Sequence, residues 1–116
     1  MAPRNLVLAL TLLAVFPEAS LAASKGNIDR LTTFAVMLGR AVGCNLDNAS
    51  SIAKDIGIWM DRKFPPGSAD QVQYLPVFMA GVKMNAEAQL AGQSPDTCDS
   101  VSHFFESEEF RNAVGN

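Results

Sequence analysis

The fold is decided by residues 27–44, which read NIDRLTTFAVMLGRAVGC. The apolar side chains of this stretch recur at alternating steps of three and four residues, the spacing that places side chains on one face of an α-helix. That face consists of Ile28, Leu31, Ala35, Leu38 and Val42, and it is widened by Phe34 and Ala41. Asn27 is a good N-cap and Gly43 is a good left-handed C-cap. The stretch therefore predicts an amphipathic helix that begins after Asn27 and ends just before Cys44.

The same helical spacing continues through two further segments, with turn signals between them and no sustained alternation of the kind that strands show. A second helix is predicted from a cap in residues 45–51 to Phe64, with an apolar face made of Ala49, Ile52, Ala53, Ile56, Trp59 and Met60. A third helix begins at Ser68, which we expect to form a reciprocal capping box with Gln71. Its apolar face consists of Val72, Leu75, Met79, Val82, Ala86 and Leu90. Pro76 lies within this helix and either kinks it or splits it in two.

A fourth helix is predicted from Ser94 as N-cap and Pro95 as the first helical residue. Its buried face is predicted to contain Cys98, Val101 and Phe105. We expect the last six residues, 111–116, to be frayed. Together the segments predict an all-α protein with a single domain of four helices, or five if the third splits at Pro76.

The first 22 residues have the pattern of a secretory signal peptide. Arg4 precedes a mainly apolar run at 6–16, and Ser20 and Ala22 provide the small residues that signal peptidase requires, so we place cleavage after Ala22. The mature chain would be 23–116, a single helical domain of 94 residues that is periplasmic or secreted. The apolar run is shorter than a transmembrane helix requires, so we expect no stable membrane insertion after the signal is removed.

Both cysteines, Cys44 and Cys98, lie in the predicted mature chain, and export delivers them to a compartment in which thiols oxidise. We predict one intramolecular disulfide. In the chain-entropy model, closing a loop of about 54 residues stabilises the fold by about 4 kcal/mol. A disulfide between two copies of the chain is the alternative.

The charge distribution argues against nucleic-acid binding. The net charge is −3, and the segment from Asp96 onward has five acidic residues and one basic residue, so there is no basic stripe to contact phosphates. That acidic segment is interpreted as a solvated helix face, or as the dock of a basic partner.

The only histidine lies in this segment, but it does not predict an enzyme. Cys98 and His103 are five residues apart, so on one helix their side chains point about 140° apart and cannot form a nucleophile pair. Asp99, His103 and Glu106 do share one side of the predicted helix, which suggests a pH-sensitive face. Without a second histidine the trio is a poor metal site, so we predict no catalytic residue, metal or cofactor. A metalloenzyme or hydrolase that uses His103 is the remaining enzymatic alternative.

The best candidate for a binding surface is apolar. Its predicted members are Trp59, Tyr74, Phe78, Met79 and Met84, although some of them must also contribute to the core. We therefore interpret the chain as a small exported binding or accessory protein that contacts an unidentified protein partner or an apolar ligand.

Two alternatives share this exported, helical layout. A signal peptide, a mature chain of about ninety residues, one central disulfide and an all-helical pattern resemble the layout of HdeA-type periplasmic acid chaperones. That resemblance implies a protein in which acid protonates the carboxylates, loosens the fold and exposes apolar surface to client proteins. The second alternative is a secreted, disulfide-linked dimer that encloses an apolar ligand.

Overall fold

The computed structural model describes residues 23–116, and within that range the chain forms five α-helices and no strand. The helices are α1 (Lys25–Gly43), α2 (Ala49–Lys63), α3 (Ala69–Leu90), α4 (Cys98–Glu106) and α5 (Glu108–Gly115). The predicted all-α class is confirmed. The predicted signal peptide and its cleavage site lie outside the described residues.

α1 is the central helix, because it is buried on more than the one face predicted and packs against α2, α3 and α4. It begins one turn earlier than predicted, since the Ser24 hydroxyl accepts a hydrogen bond from the backbone N–H of Asn27 at 3.1 Å. It ends at Gly43, as predicted. The residue in the left-handed conformation is Asn45, however, with φ of 55°, and not Gly43.

Glycines bring α1 and α3 into backbone contact. A Cβ atom added at Gly39 would lie 2.5 Å from the carbonyl oxygen of Val82, and one added at Gly43 would lie 2.7 Å from that of Ala86. Gly81 faces α1 in the same way, because its Cβ would lie 3.2 Å from the Cβ of Ala35. We call this contact the glycine seam, and it makes α1 and α3 the most extensively packed pair of helices in residues 23–116.

α2 supplies the largest side chains of the core. Its buried residues are Ile52, Ile56, Trp59 and Met60, which confirms the predicted face except that Ala53 is exposed. The Trp59 ring meets Phe34 edge-on, with 4.9 Å between the ring centroids, and it lies 6.0 Å from Phe64. These aromatic contacts connect α1 and α2 to the turn that precedes α3.

Of the two alternatives at Pro76, a kink or a split, the split is excluded, because the helix runs without a break from Ala69 to Leu90. The Ser68 hydroxyl accepts a hydrogen bond from the backbone N–H of Gln71 at 3.2 Å, which forms one half of the predicted capping box. The Gln71 side chain does not complete it. Its amide nitrogen donates instead to Asp61 Oδ1 at 3.0 Å and to the carbonyl oxygen of Phe64 at 2.8 Å.

Most of the predicted apolar face of α3 is exposed. The buried residues of α3 are Asp70 and Phe78, whereas four residues of the predicted face are exposed: Val72, Leu75, Met79 and Leu90. The reason is the glycine seam, which meets α3 on the face of Gly81, Asn85 and Gln89. The predicted face lies beside that seam.

The last predicted segment forms two helices. α4 begins at Cys98, because the Thr97 hydroxyl accepts a hydrogen bond from the backbone N–H of Ser100, so Ser94 is not its N-cap. Ser107 ends α4, and its hydroxyl caps α5 by accepting a hydrogen bond from the backbone N–H of Phe110. The fifth helix therefore arises at Ser107 and not at Pro76.

The C-terminal residues predicted to be frayed are helical as far as Gly115. Two guanidinium groups hold this end of the chain. Arg30 donates to the carbonyl oxygen of Ala113 at 3.3 Å, and Arg62 donates to that of Val114 at 2.7 Å. Positive side chains stabilise the last carbonyl groups of a helix, which explains why α5 continues to the end.

The sulfur atoms of Cys44 and Cys98 lie at bonding distance within one chain, which supports the predicted intramolecular pairing. The pair joins the end of α1 to the first residue of α4. Cys98 is exposed, so its predicted place on the buried face is wrong, although Val101 and Phe105 are buried as predicted. No helix within residues 23–116 has the length and apolar character needed to cross a bilayer.

Candidate functional site

An apolar groove of about 400 Å³ runs between α1 and α3. Nine residues line it, and seven of them are apolar: Leu38, Val42, Phe78, Met79, Val82, Ala86 and Leu90. The other two are Lys83 and Glu87. The groove is therefore an apolar trough with two opposite charges among the residues that border it.

The position of the groove follows from the glycine seam. Because the backbones of α1 and α3 touch there, little space remains between them for large side chains. The larger apolar side chains of α3 consequently lie on the flank of the helix, where Met79 is 61% exposed and Leu90 is 75% exposed. Val42 of α1 stands beside them and is itself exposed.

The charges of α3 are few. This 22-residue helix has only three charged residues, Asp70, Lys83 and Glu87, and Asp70 is buried near its start. The two exposed charges both line the groove and are four residues apart, so they stand one turn apart on the same side of the helix.

The five residues of the predicted binding surface do not form one surface. Trp59 is 0% exposed and Phe78 is 9% exposed, so both belong to the core. Tyr74 is half-buried, with its ring 5.6 Å from that of Phe64. Met79 and Met84 are exposed, but they are five residues apart and therefore point about 140° apart on the helix. Of the two, only Met79 lines the groove.

Sequence reasoning missed four of the residues that line the groove. Leu38 and Val42 were assigned to the buried face of the first helix, and Lys83 and Glu87 were given no role. The spacing of the apolar residues on α3 identified most of the remaining lining, but it left open whether this face is exposed. No sequence signal for the groove itself was available, because the groove depends on which face of α3 meets the glycine seam.

A second cavity, of about 450 Å³, lies between the first half of α1 and α5. Phe34, Phe104 and Phe110 contribute its aromatic part. Two of its charged groups already have partners: Arg30 donates to a carbonyl oxygen of α5, and Asp29 pairs with Lys25 at 2.8 Å. The hydrogen bond to the Asp29 carboxylate, together with the carboxylate charge, raises the pKa of Lys25. These two groups therefore serve the fold.

Asp99, His103 and Glu106, the trio predicted to form a pH-sensitive face, lie on the exposed side of α4. His103 Nδ1 is 3.9 Å from Glu106 Oε1, a loose pairing between two solvated side chains. Within residues 23–116, no group of three His, Cys, Asp or Glu side chains is placed so that it could hold a metal ion. The proposed pH-sensitive role of this face stays a prediction.

No protein-family model matches the chain, and no curated protein or solved structure matches it. Its function is therefore inferred from the chemistry of the described residues. Among them, the groove between α1 and α3 combines the greatest apolar exposure with a defined shape.

Proposed function

We propose that this protein is an exported binding protein that holds an apolar helical segment of a protein partner in the groove between α1 and α3. The observation that carries this proposal is the uneven distribution of exposed apolar side chains. Within residues 23–116, six of the eight large apolar residues that are exposed belong to α3. Two of these six, Met79 and Leu90, line the groove together with the exposed Val42 of α1, and apolar side chains that are contiguous in this way mark interaction sites.

The lining of the groove favours binding over catalysis. None of its nine residues carries a hydroxyl group, a thiol or an imidazole, so the Lys83 amine and the Glu87 carboxylate are the only side-chain groups of the lining that could serve as a nucleophile or a general base. Met79 is a flexible side chain that adapts to the shape of a partner. An amphipathic helix that lays its apolar face into such a groove is a common mode of peptide recognition.

The proposal of export is supported by two features. The sequence of residues 1–22 has the pattern of a signal peptide, and the disulfide between Cys44 and Cys98 is compatible with an oxidising compartment. Intact mass measurement of the chain recovered from the exported fraction tests both features at once. We expect the mass of residues 23–116 with two hydrogens fewer than the reduced form.

Two methionine variants provide a matched test of the groove. Met79→Asp introduces a charge into the groove, and Met84→Asp introduces the same charge at an equally exposed position, 67% against 61%, outside it. Each variant is used with the wild-type chain for cross-linked capture from the native exported fraction. Phe78→Asp is unsuitable, because Phe78 is buried and the charge would disrupt the core.

We expect Met79→Asp to lose the captured partner and Met84→Asp to retain it, while both keep the circular dichroism spectrum of the wild type. Equal capture by Met79→Asp and the wild type would show that the groove is not the binding site. Loss of capture in both variants would place the contact on a broader surface of α3.

A further inference from the structure

The apolar residues along one side of α3 have the spacing of a coiled-coil seam. They recur at alternating steps of three and four residues, in the order Val72, Leu75, Met79, Val82 and Ala86, of which the first three are exposed and the last two are half-buried. Two helices that share such a seam pack side chains from one into the gaps of the other. α1 reaches this seam at its C-terminal end, where Gly39 and Gly43 approach the backbone of Val82 and Ala86, but Met79, Val82 and Ala86 still line the open groove. The occupant that fits the seam is therefore another helix with heptad spacing.

Lys83 and Glu87, the two exposed charges of α3, can pair with each other's counterparts in a second copy of the helix. A two-fold axis at the level of Asn85, midway between Lys83 and Glu87, relates two antiparallel copies of the helix. Lys83 then stands opposite Glu87 of the second copy, and Glu87 stands opposite Lys83 of the second copy. A parallel pair in register would instead place Lys83 beside Lys83 and Glu87 beside Glu87, which is unfavourable.

The apolar residues that line the groove fit the same arrangement, which overlaps the two helices over residues 80–90 and leaves Val72 and Leu75 beyond the end of the second α3. With the axis at residue 85, Met79 is level with residue 91 of the second copy, one residue beyond Leu90. One residue corresponds to a rise of about 1.5 Å, so the two exposed side chains meet across the interface. Val82 and Ala86 lie next to the axis, where the small Ala86 side chain allows the helices to approach closely.

We infer that the groove is filled by α3 of a second copy of this chain, packed antiparallel about a two-fold axis near Asn85. This inference rests on the proposed function, because it names the helix that the groove holds. It makes the interface isologous, so that the same residues are buried on both copies. The bond between Cys44 and Cys98 stays within each copy and does not link the two.

Charge reversal tests this pairing directly. Lys83→Glu places glutamates opposite one another at both ends of the pair, and Glu87→Lys does the same with lysines. We expect sedimentation equilibrium to show a dimer for the wild type and a dissociation constant at least about tenfold higher for each variant alone. An equimolar mixture of the two variants is expected to form a heterodimer as tightly as the wild type pairs, because each contact again joins Glu to Lys.

The single variants also distinguish the orientation, because a parallel pair in register places like charges side by side in the wild type and in each single variant, so its dissociation constant would change little. The double variant Lys83→Glu/Glu87→Lys restores opposite charges across the antiparallel interface and is expected to dimerise like the wild type. Thermal unfolding of each variant, followed by circular dichroism at a concentration below the dissociation constant, separates a loss of pairing from a loss of the fold.

Two results would overturn the inference: a wild-type chain that stays monomeric at about 100 μM, roughly a hundredfold above a micromolar dissociation constant, or charge variants that dimerise as tightly as the wild type. The capture experiment with Met79→Asp distinguishes a failure of the dimer inference from a failure of the proposed function. A monomer that captures a different protein through Met79 refutes only the second copy as occupant. A monomer whose capture is unaffected by Met79→Asp refutes both proposals.

Discussion

Replacing Gly39 with alanine tests the contact between α1 and α3 that shapes the groove. The added Cβ atom would lie 2.5 Å from the carbonyl oxygen of Val82 and 2.7 Å from the Cβ of Asn85. Ordinary van der Waals contact for a Cβ atom begins at 3.4 Å, so the two atoms nearest to it must retreat by about 0.9 Å and 0.7 Å. The carbonyl oxygen belongs to the backbone of α3 and cannot turn away. The two helices must therefore separate.

The expected magnitude is the difference between two effects. Overpacking of a close helix contact costs about 1–3 kcal/mol, and a clash with backbone belongs at the upper end of that range. Replacing glycine by alanine inside a helix stabilises the fold by about 0.5–1 kcal/mol. We expect Gly39→Ala to lower the free energy of unfolding by about 2 kcal/mol, which corresponds to a melting temperature roughly 8–16 °C lower for a domain of this size.

Gly57→Ala is the matched control. Gly57 lies in α2 on an exposed face, and a Cβ atom added there would have nothing within 4 Å. Only the helical preference of alanine remains, so we expect this variant to be more stable than the wild type by about 0.5–1 kcal/mol. Glycine-to-alanine substitution should therefore lower the free energy of unfolding at Gly39 and raise it at Gly57.

Urea unfolding followed by tryptophan fluorescence measures both variants. Trp59 is the only tryptophan of the chain and is fully buried, so its emission reports the loss of the core. If Gly39→Ala were as stable as the wild type, the backbones of α1 and α3 would not be in contact at this position. The groove between the two helices would then lose its structural basis.

Three further predictions concern the disulfide, the turn before α3 and acid conditions. Replacing both Cys44 and Cys98 with alanine is expected to lower the free energy of unfolding in urea by about 4 kcal/mol, and an unchanged midpoint would contradict this. Gln71→Glu removes the amide donor to Asp61 and Phe64, so we expect a loss of about 1–2 kcal/mol. If Gln71 instead formed a capping box with Ser68, glutamate would serve equally well. An unchanged free energy of unfolding would therefore favour the capping box. At about pH 2.5, where most carboxylates are protonated, the chaperone alternative predicts apolar-dye binding and protection of an aggregating client; absence of protection removes it.

The parts of the fold that were predicted correctly depend on local spacing or on cysteine chemistry. The buried residues of α2 follow from periodicity, since Ile52, Ile56, Trp59 and Met60 are the only large apolar residues that can share its face. The pairing of Cys44 with Cys98 follows from two cysteines in a chain that is predicted to be exported. Neither inference requires knowledge of how the helices are arranged in space.

The fifth helix was missed although a local signal was present. Ser107 is followed by Glu108 and Glu109, and a hydroxyl cap followed by acidic residues is typical of a helix start. The prediction of fraying gave more weight to the closeness of the chain end. It could not anticipate Arg30 and Arg62, which come from other helices and are brought to the α5 carbonyl groups only by the fold.

The orientation of α3 could not be predicted from spacing, because spacing shows which residues share a face and not which face meets the core. Its most regular apolar face, which includes Met79 and Leu90, suggested burial. The contact with α1 is determined instead by Gly39 and Gly43, whose missing side chains let the helices approach along a different line. The favourable close packing of two backbones outweighed the burial of a larger apolar stripe.

The stability of the fold and the shape of the groove proposed to bind a partner therefore have one physical origin. Because the backbones of α1 and α3 touch, the glycine seam has little volume for side chains. The bulky residues of α3 must therefore lie on either side of the seam. The groove lies on the side where Leu38 and Val42 of α1 form its border. Any change that separates α1 from α3 also widens the groove and moves Met79 relative to Val42. Gly39→Ala should consequently weaken binding in the groove as well as the fold, whereas Gly57→Ala should alter stability alone.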